Sequence, residues 1–170
     1  MQSEIKSIIN LNSTYSLSTI FGYALNSVPG IEILGIGNKG RLLKEKLVYI
    51  SRERGLKLRP LKYVISIESD LDVKNISLKE IELPILLILW HLAGIIPIES
   101  LAKCICVGEI EIDGSIKQPF MDTESLRPIL ESQKELDDYK IISNFPNDYL
   151  WNIQTKELLE DIPRLKYALN

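Results

Sequence analysis

The chain has 170 residues, 45% hydrophobic and 25% charged, with 20 basic against 23 acidic side chains and a net charge of -3. That balance describes one ordinary globular domain over 1–170 and excludes a disordered chain or a strongly basic, phosphate-tracking surface. Cys104 and Cys106 are its two cysteines, so no disulfide framework follows and a reducing compartment is expected. The amino-terminal MQSEIKSIINLNS lacks the basic head and apolar run of a secretory signal. The longest apolar run, from Leu83 to Ile98, falls short of the ~20 residues that cross a bilayer. A cytoplasmic protein without a membrane partner is therefore expected.

In chain order, residues 13–27 are rich in β-branched and aromatic side chains and read as one bent strand or a hairpin with its weak point at Gly22. Val28-Pro29-Gly30 is a turn signal, with Gly30 free to take positive φ. Ile31 to Ile36 is apolar on both faces, which predicts an internal strand. Asn38 is placed to cap a helix running to about Arg54, with Leu42, Leu43, Leu47 and Ile50 as its buried stripe and Gly55 as its stop. Leu61 to Glu68 reads as a strand, followed by a polar, irregular stretch from Asp70 to Glu80.

A second helix begins between Glu80 and Pro84, runs to Gly94 and is apolar nearly all round, hence central to the core. Residues 102–117 read as a hairpin turning at Asp113-Gly114, with Cys104, Cys106, Ile110 and Ile112 on one face of its first strand. A helix capped by Asp122 or Thr123 to about Leu136, strands at Lys140–Ser143 and Tyr149–Ile153, and a final helix from about Thr155, interrupted by Pro163, complete the prediction. No repeat, linker or low-complexity segment divides the chain.

Several groups of residues invite chemistry. Gly35, Gly37 and Gly40 form a G-x-G-x-x-G between a strand and a helix, the pattern that cradles a dinucleotide pyrophosphate. The acid that would hold the ribose is due ~20 residues on. Pro60 stands there, and Glu68 and Asp70 come late, so a plain strand-to-helix turn is the simpler reading. Arg52, Arg54, Lys57, Arg59 and Lys62 form a local basic cluster, a weak nucleic-acid signal against the acidic whole. His91 is the only histidine, and with two thiols it does not make up a zinc set. Glu109, Glu111 and Asp113 alternate along one strand and can hold a hard cation, form a docking surface or simply face water.

Three stretches taken together resemble a family. VPGIEILGIGNKGRLLKEKLVYI (28–50), ELPILLILWHLAGIIP (82–97) and CVGEIEIDGSIK (106–117) are similar, in order and spacing, to the amino-terminal domain of magnesium-chelatase-I-like, competence-related AAA+ ATPases. That domain is itself similar to the Lon protease domain. The counterparts are Val28-Pro29-Gly30-Ile31, Leu34-Gly35-Ile36-Gly37, Glu82-Leu83-Pro84-Ile85, and the run Gly108 to Gly114, and the likeness extends from about residue 9 to 169. It implies an α+β fold of the Lon-protease type, related to domain 2 of ribosomal protein S five, with a mixed sheet and helices packed on one side.

The departures shape the functional expectation. In the family an ATPase follows this domain, but here there is no G-x-x-x-x-G-K-[ST], and ATP hydrolysis is not expected. Lon-like peptidases use a serine before the long helix and a lysine after the Gly-Glu hairpin, the lysine serving as base. Those places fall near Lys79 or Glu80 and near Asp122 or Thr123. Ser77 and Lys117 are neighbours in the wrong surroundings. The sequence therefore predicts no enzyme, with no catalytic, cofactor-binding or metal-binding residue and no cofactor. It predicts an interaction or assembly module that works with a separate AAA+ ATPase or by self-association. An NAD(P)-binding enzyme built on Gly35–Gly40 and a nucleic-acid-binding accessory using residues 52–62 are the alternatives.

Overall fold

A computed structural model describes residues 1–11, 14–68, 77–96, 99–117, 128–129, 139–142 and 151–153. Its first two strands, β1 (Gln2–Leu11) and β2 (Thr14–Leu25), form a long antiparallel hairpin. β1 has no counterpart among the sequence expectations. Its apolar positions Ile5, Ile8 and Ile9 are interrupted by Lys6 and Ser7, which hides the alternation. β2 is continuous through Gly22, so residues 14–25 form one strand and not a hairpin. A Cβ at Gly22 would lie 2.8 Å from Ile88 Cγ2, so the glycine lets a helix approach the sheet closely.

β3 (Gly30–Leu34), helix α1 (Lys39–Glu53) and β4 (Lys62–Glu68) make a parallel crossover unit, and β4 pairs antiparallel with β2. β3 is an edge strand, not the internal one expected. Ile31 and Ile33 turn half-buried toward the core while Glu32 and Leu34 are exposed. Apolar residues on both faces do not distinguish an edge from a centre. Gly30 opens this strand and is not among the glycines at positive φ, which are Gly35, Gly37, Gly55, Gly94 and Gly114. Asn38 occupies the helix N-cap without a side-chain capping bond. Gly55 ends the helix at φ 68°, as expected.

Helix α2 (Glu82–Leu92) is buried at all eleven positions. It lies on β1, β2 and β4. β5 (Cys104–Cys106) joins the main sheet beside β1. β6 (Glu109–Ile110) and β7 (Ile116–Lys117) form a separate ribbon. The single strand expected over 102–111 is thus two, broken at Val107-Gly108, and Ile112 is exposed instead of sharing a buried face with the cysteines. β8 (Lys140–Ile142) and β9 (Trp151–Ile153) extend the sheet in parallel from β5. The predicted helices at 122–136 and from Thr155 lie almost wholly outside the described residues, where only 128–129 are seen to be helical.

The main sheet has the order β3-β4-β2-β1-β5-β8-β9, in which β2 alone runs antiparallel to its neighbours. The class is α+β, with a mixed sheet and, among the described elements, the helices α1 and α2. Both helices join one core cluster with Ile5, Ile20, Ile65 and Cys106, so they cover the same face. On the other face Ile8, Ile105, Val107 and Ile141 form a smaller cluster with Tyr15, Leu17 and Tyr139. Among the described residues no helix is long and apolar enough to cross a membrane.

Candidate functional site

The glycine turn sits where the crossover unit demands it. Gly35 and Gly37 take φ of 96° and 56°, a backbone region that side-chain-bearing residues rarely enter. Gly40 lies in the first turn of α1, where a Cβ would come 2.9 Å from Ile33 O, so the missing side chain allows the helix to rest on β3. The Gly40 N–H is already donated to Gly37 O at 3.1 Å. Each glycine therefore has a structural task. Register places Leu34 opposite Ser66, and a Cβ on Gly35 would meet Ile67 O at 3.2 Å, which puts Glu68 at the strand end beside the turn.

The basic cluster is divided between structure and solvent. Arg59 donates to Ala93 O (3.0 Å) and Leu92 O (3.1 Å), closing the carboxyl end of α2. Arg54 Nη2 donates to Gly114 O at 3.0 Å and ties the end of α1 to the β6–β7 turn. Lys62 pairs with Glu32 at 3.2 Å. Only Arg52 and Lys57 of the five are exposed residues for which the structure records no such bond. Charge density was legible in the sequence, but the carbonyls these arginines serve were not.

Burial has replaced chemistry at the histidine and the thiols. His91 is buried, with Nδ1 and Ser3 Oγ sharing a hydrogen bond of 2.7 Å. Cys104 and Cys106 are free and buried on one face of β5. Burial raises both thiols, Cys104 to about 11, so neither is poised as a thiolate. The acids at 109–113 do not converge. Glu111 pairs with Lys117 at 3.8 Å, and Asp113 Oδ1 accepts the Ser115 N–H at 2.8 Å, an interaction that holds its carboxyl below the usual range. No cluster of potential metal ligands occurs among the described residues.

Two carboxylates at the entrance of α2 hold roles that their sequence context does not announce. Glu82 Oε2 meets Lys46 Nζ at 2.7 Å and accepts the Ile110 N–H at 2.9 Å, joining α1, α2 and the ribbon at one buried point. Glu80 is buried, and among the described residues its Oε2 has no hydrogen-bond partner. Burial raises its carboxyl above the usual range; its own backbone, Ser77 and Lys79 oppose that shift, and Glu109 adds to it. Its carbonyl accepts Ser7 Oγ (3.2 Å) and the Gly108 N–H (3.3 Å), while Gly108 O accepts the Leu83 N–H (2.9 Å). The sequence signal was two acids directly before a wholly apolar helix. No protein-family model matches the chain, and no curated protein is significantly similar to it.

The positions aligned with a Ser-Lys peptidase pair fare as follows. Ser77 Oγ accepts the Lys79 N–H at 3.2 Å in an exposed local turn. Lys79 and Glu80 themselves offer no hydroxyl. Lys117, also exposed, is held by Glu111. Asp122 and Thr123 lie outside the described residues. None of the described positions forms the serine–lysine pair, and the Ser3 hydroxyl that meets His91 is buried with it.

Proposed function

We propose that this chain is a non-catalytic interaction or assembly module of the chelatase/Lon-like type, working with an AAA+ ATPase or by self-association. The observation that carries the reading is the junction at Glu80. Where the resemblance would place a nucleophile, the chain has a buried carboxylate, and its backbone is hydrogen-bonded to β1 and to Gly108. A hydroxyl awaiting a base would need freedom and access that this junction denies it. What supports the reading further is that the stretches carrying the resemblance fall on the β3–α1 turn, on α2 and on the Gly-Glu ribbon. Affinity recovery from native cells, together with the mass in solution, tests the proposal. An identified AAA+ ATPase in the eluate, or a mass above the monomer, is the expected result. A strictly monomeric protein that recovers no ATPase overturns it.

A second reading, NAD(P) binding at Gly35–Gly40, draws on the parallel β3–α1–β4 unit and on Glu68 at the neighbouring strand end. Against it stands the edge position of β3. Dinucleotides bind where strand order reverses inside a sheet, and among the described residues β3 has no second neighbour to form the other half of that crevice. Thermal unfolding decides. Binding protects by about 2.7 kcal/mol at a hundredfold excess over Kd, whereas no shift with either cofactor in either redox state removes the reading.

A further inference from the structure

The two faces of the sheet differ in chemistry. Gly22 of β2 lies under Ile88 of α2, so the odd-numbered residues of β2 point to the opposite, outer face. Register sets them beside their neighbours on β4: Leu25 with Lys62, Tyr23 with Val64, Phe21 with Ser66, and Thr19 with Glu68. Leu25 and Leu34 are 47% and 42% exposed on this face, and Phe21 and Tyr23 are half-buried. Among the described residues, neither helix covers this end of it.

The charge on that face has a direction. Along the outer side β4 reads Lys62, Val64, Ser66, Glu68: a cation at one end, an anion at the other, and small side chains between. Sheets packed face to face lie about 10 Å apart with strands within about 30° of alignment. Consider a two-fold axis in the plane of the interface, perpendicular to the strands and level with Ile65. It lays β4 antiparallel over its own copy. Lys62 then faces Glu68 of the second copy, and the reverse pair forms at the other end, each side chain spanning half of the gap. On β2 the same axis sets Tyr23 against Phe21 of the other copy, twice, so that four rings meet beside the axis. Such reciprocity is what an isologous interface requires. The intrachain Lys62–Glu32 pair joins side chains that are 40% and 50% exposed and is of the weak surface kind, so it does not hold Lys62 back.

We propose that two copies of this chain associate face to face through the outer side of β2 and β4, with Lys62–Glu68 pairs at the two ends and Phe21 and Tyr23 at the centre. The proposal rests on the module reading and specifies its self-association branch. Sedimentation equilibrium of the full chain from micromolar to submillimolar concentration tests it, with circular dichroism confirming the fold of every variant. The expected result is a dimer that Lys62→Glu and Glu68→Lys each weaken by about tenfold or more and that the double swap restores. Phe21→Ala weakens it without touching a charge. The double variant lacks the Glu32 partner as fully as Lys62→Glu does, so recovery isolates the intermolecular pair. A monomer at every concentration, single swaps without effect, or a double swap no better than the singles overturns the dimer. Recovery of an AAA+ ATPase by such a monomer overturns only the dimer and leaves the module reading standing.

Discussion

α1 and α2 lie on the same face of the sheet, yet they depend on it differently. α1 turns one stripe inward, with Gly40, Leu43, Leu47, Ile50 and Ser51 buried, and leaves Leu42 73% exposed. α2 has no outward face, so each of its polar groups must find a partner on a different element. Glu82 meets Lys46 of α1 and Ile110 of β6, Trp90 Nε1 donates to Ser51 Oγ at 2.9 Å, and His91 meets Ser3 of β1. An amphipathic helix is held by area. A fully buried one is held by area plus a small set of obligatory polar bonds, and these fix where it sits.

The largest effect should come from breaking the three-way bond of α2. Glu82→Ala leaves the Ile110 N–H buried without an acceptor and Lys46 without its anion, and should cost about 3 kcal/mol in urea unfolding. Trp90→Phe keeps most of the apolar volume but removes the indole donor. Ser51 Oγ still donates to Leu47 O at 2.8 Å, so the loss should be near 1 kcal/mol.

Glu80→Gln, at the entrance to α2, should act in the opposite direction. Burial sets the folded pKa of this carboxyl above its unfolded value, so the folded state holds the proton more tightly. Its contribution is fully present below the unfolded pKa and is lost as pH rises through the folded one. The Gln variant should therefore be the more stable protein at pH 7 and lose that advantage as pH falls below the unfolded carboxyl's range, read from thermal unfolding across pH. The smallest effect belongs to α1: Leu42→Ser should change stability by no more than about 0.5 kcal/mol. A loss above 1 kcal/mol there would erase the contrast between the helices.

What could be read from the sequence follows the same division. α2 was legible because eleven consecutive buried positions leave a run without polar periodicity, and α1 because three of its four expected stripe residues recur at helical spacing. Leu42 was misassigned through its neighbour Leu43; it is apolar but sits on the wrong side of the turn. β3 was misplaced because its composition reports burial of side chains, while edge or centre is decided by which backbone it pairs with far along the chain. The same holds for β5 and β6, where Gly108 packs against Leu83 and Ile116 and separates two strands that a sequence window merges. At the candidate sites, residue types were visible but their partners were not. Arg54 and Arg59 read as cationic surface, although their guanidinium groups serve carbonyls 60 and 34 residues away.

β1 carries a consequence for synthesis. It pairs with β2 immediately, but its other edge waits for β5, with Lys6 opposite Ile105. At about 5–20 residues per second, the ribosome takes roughly 5–20 s to deliver that partner. Throughout that interval the nascent hairpin has an open strand edge, and Ile5 and Ile9 await α2. The strand least visible in the sequence is thus the one left longest without its neighbour, and the protein's yield in a cell should depend on how well that edge is shielded while the chain is made.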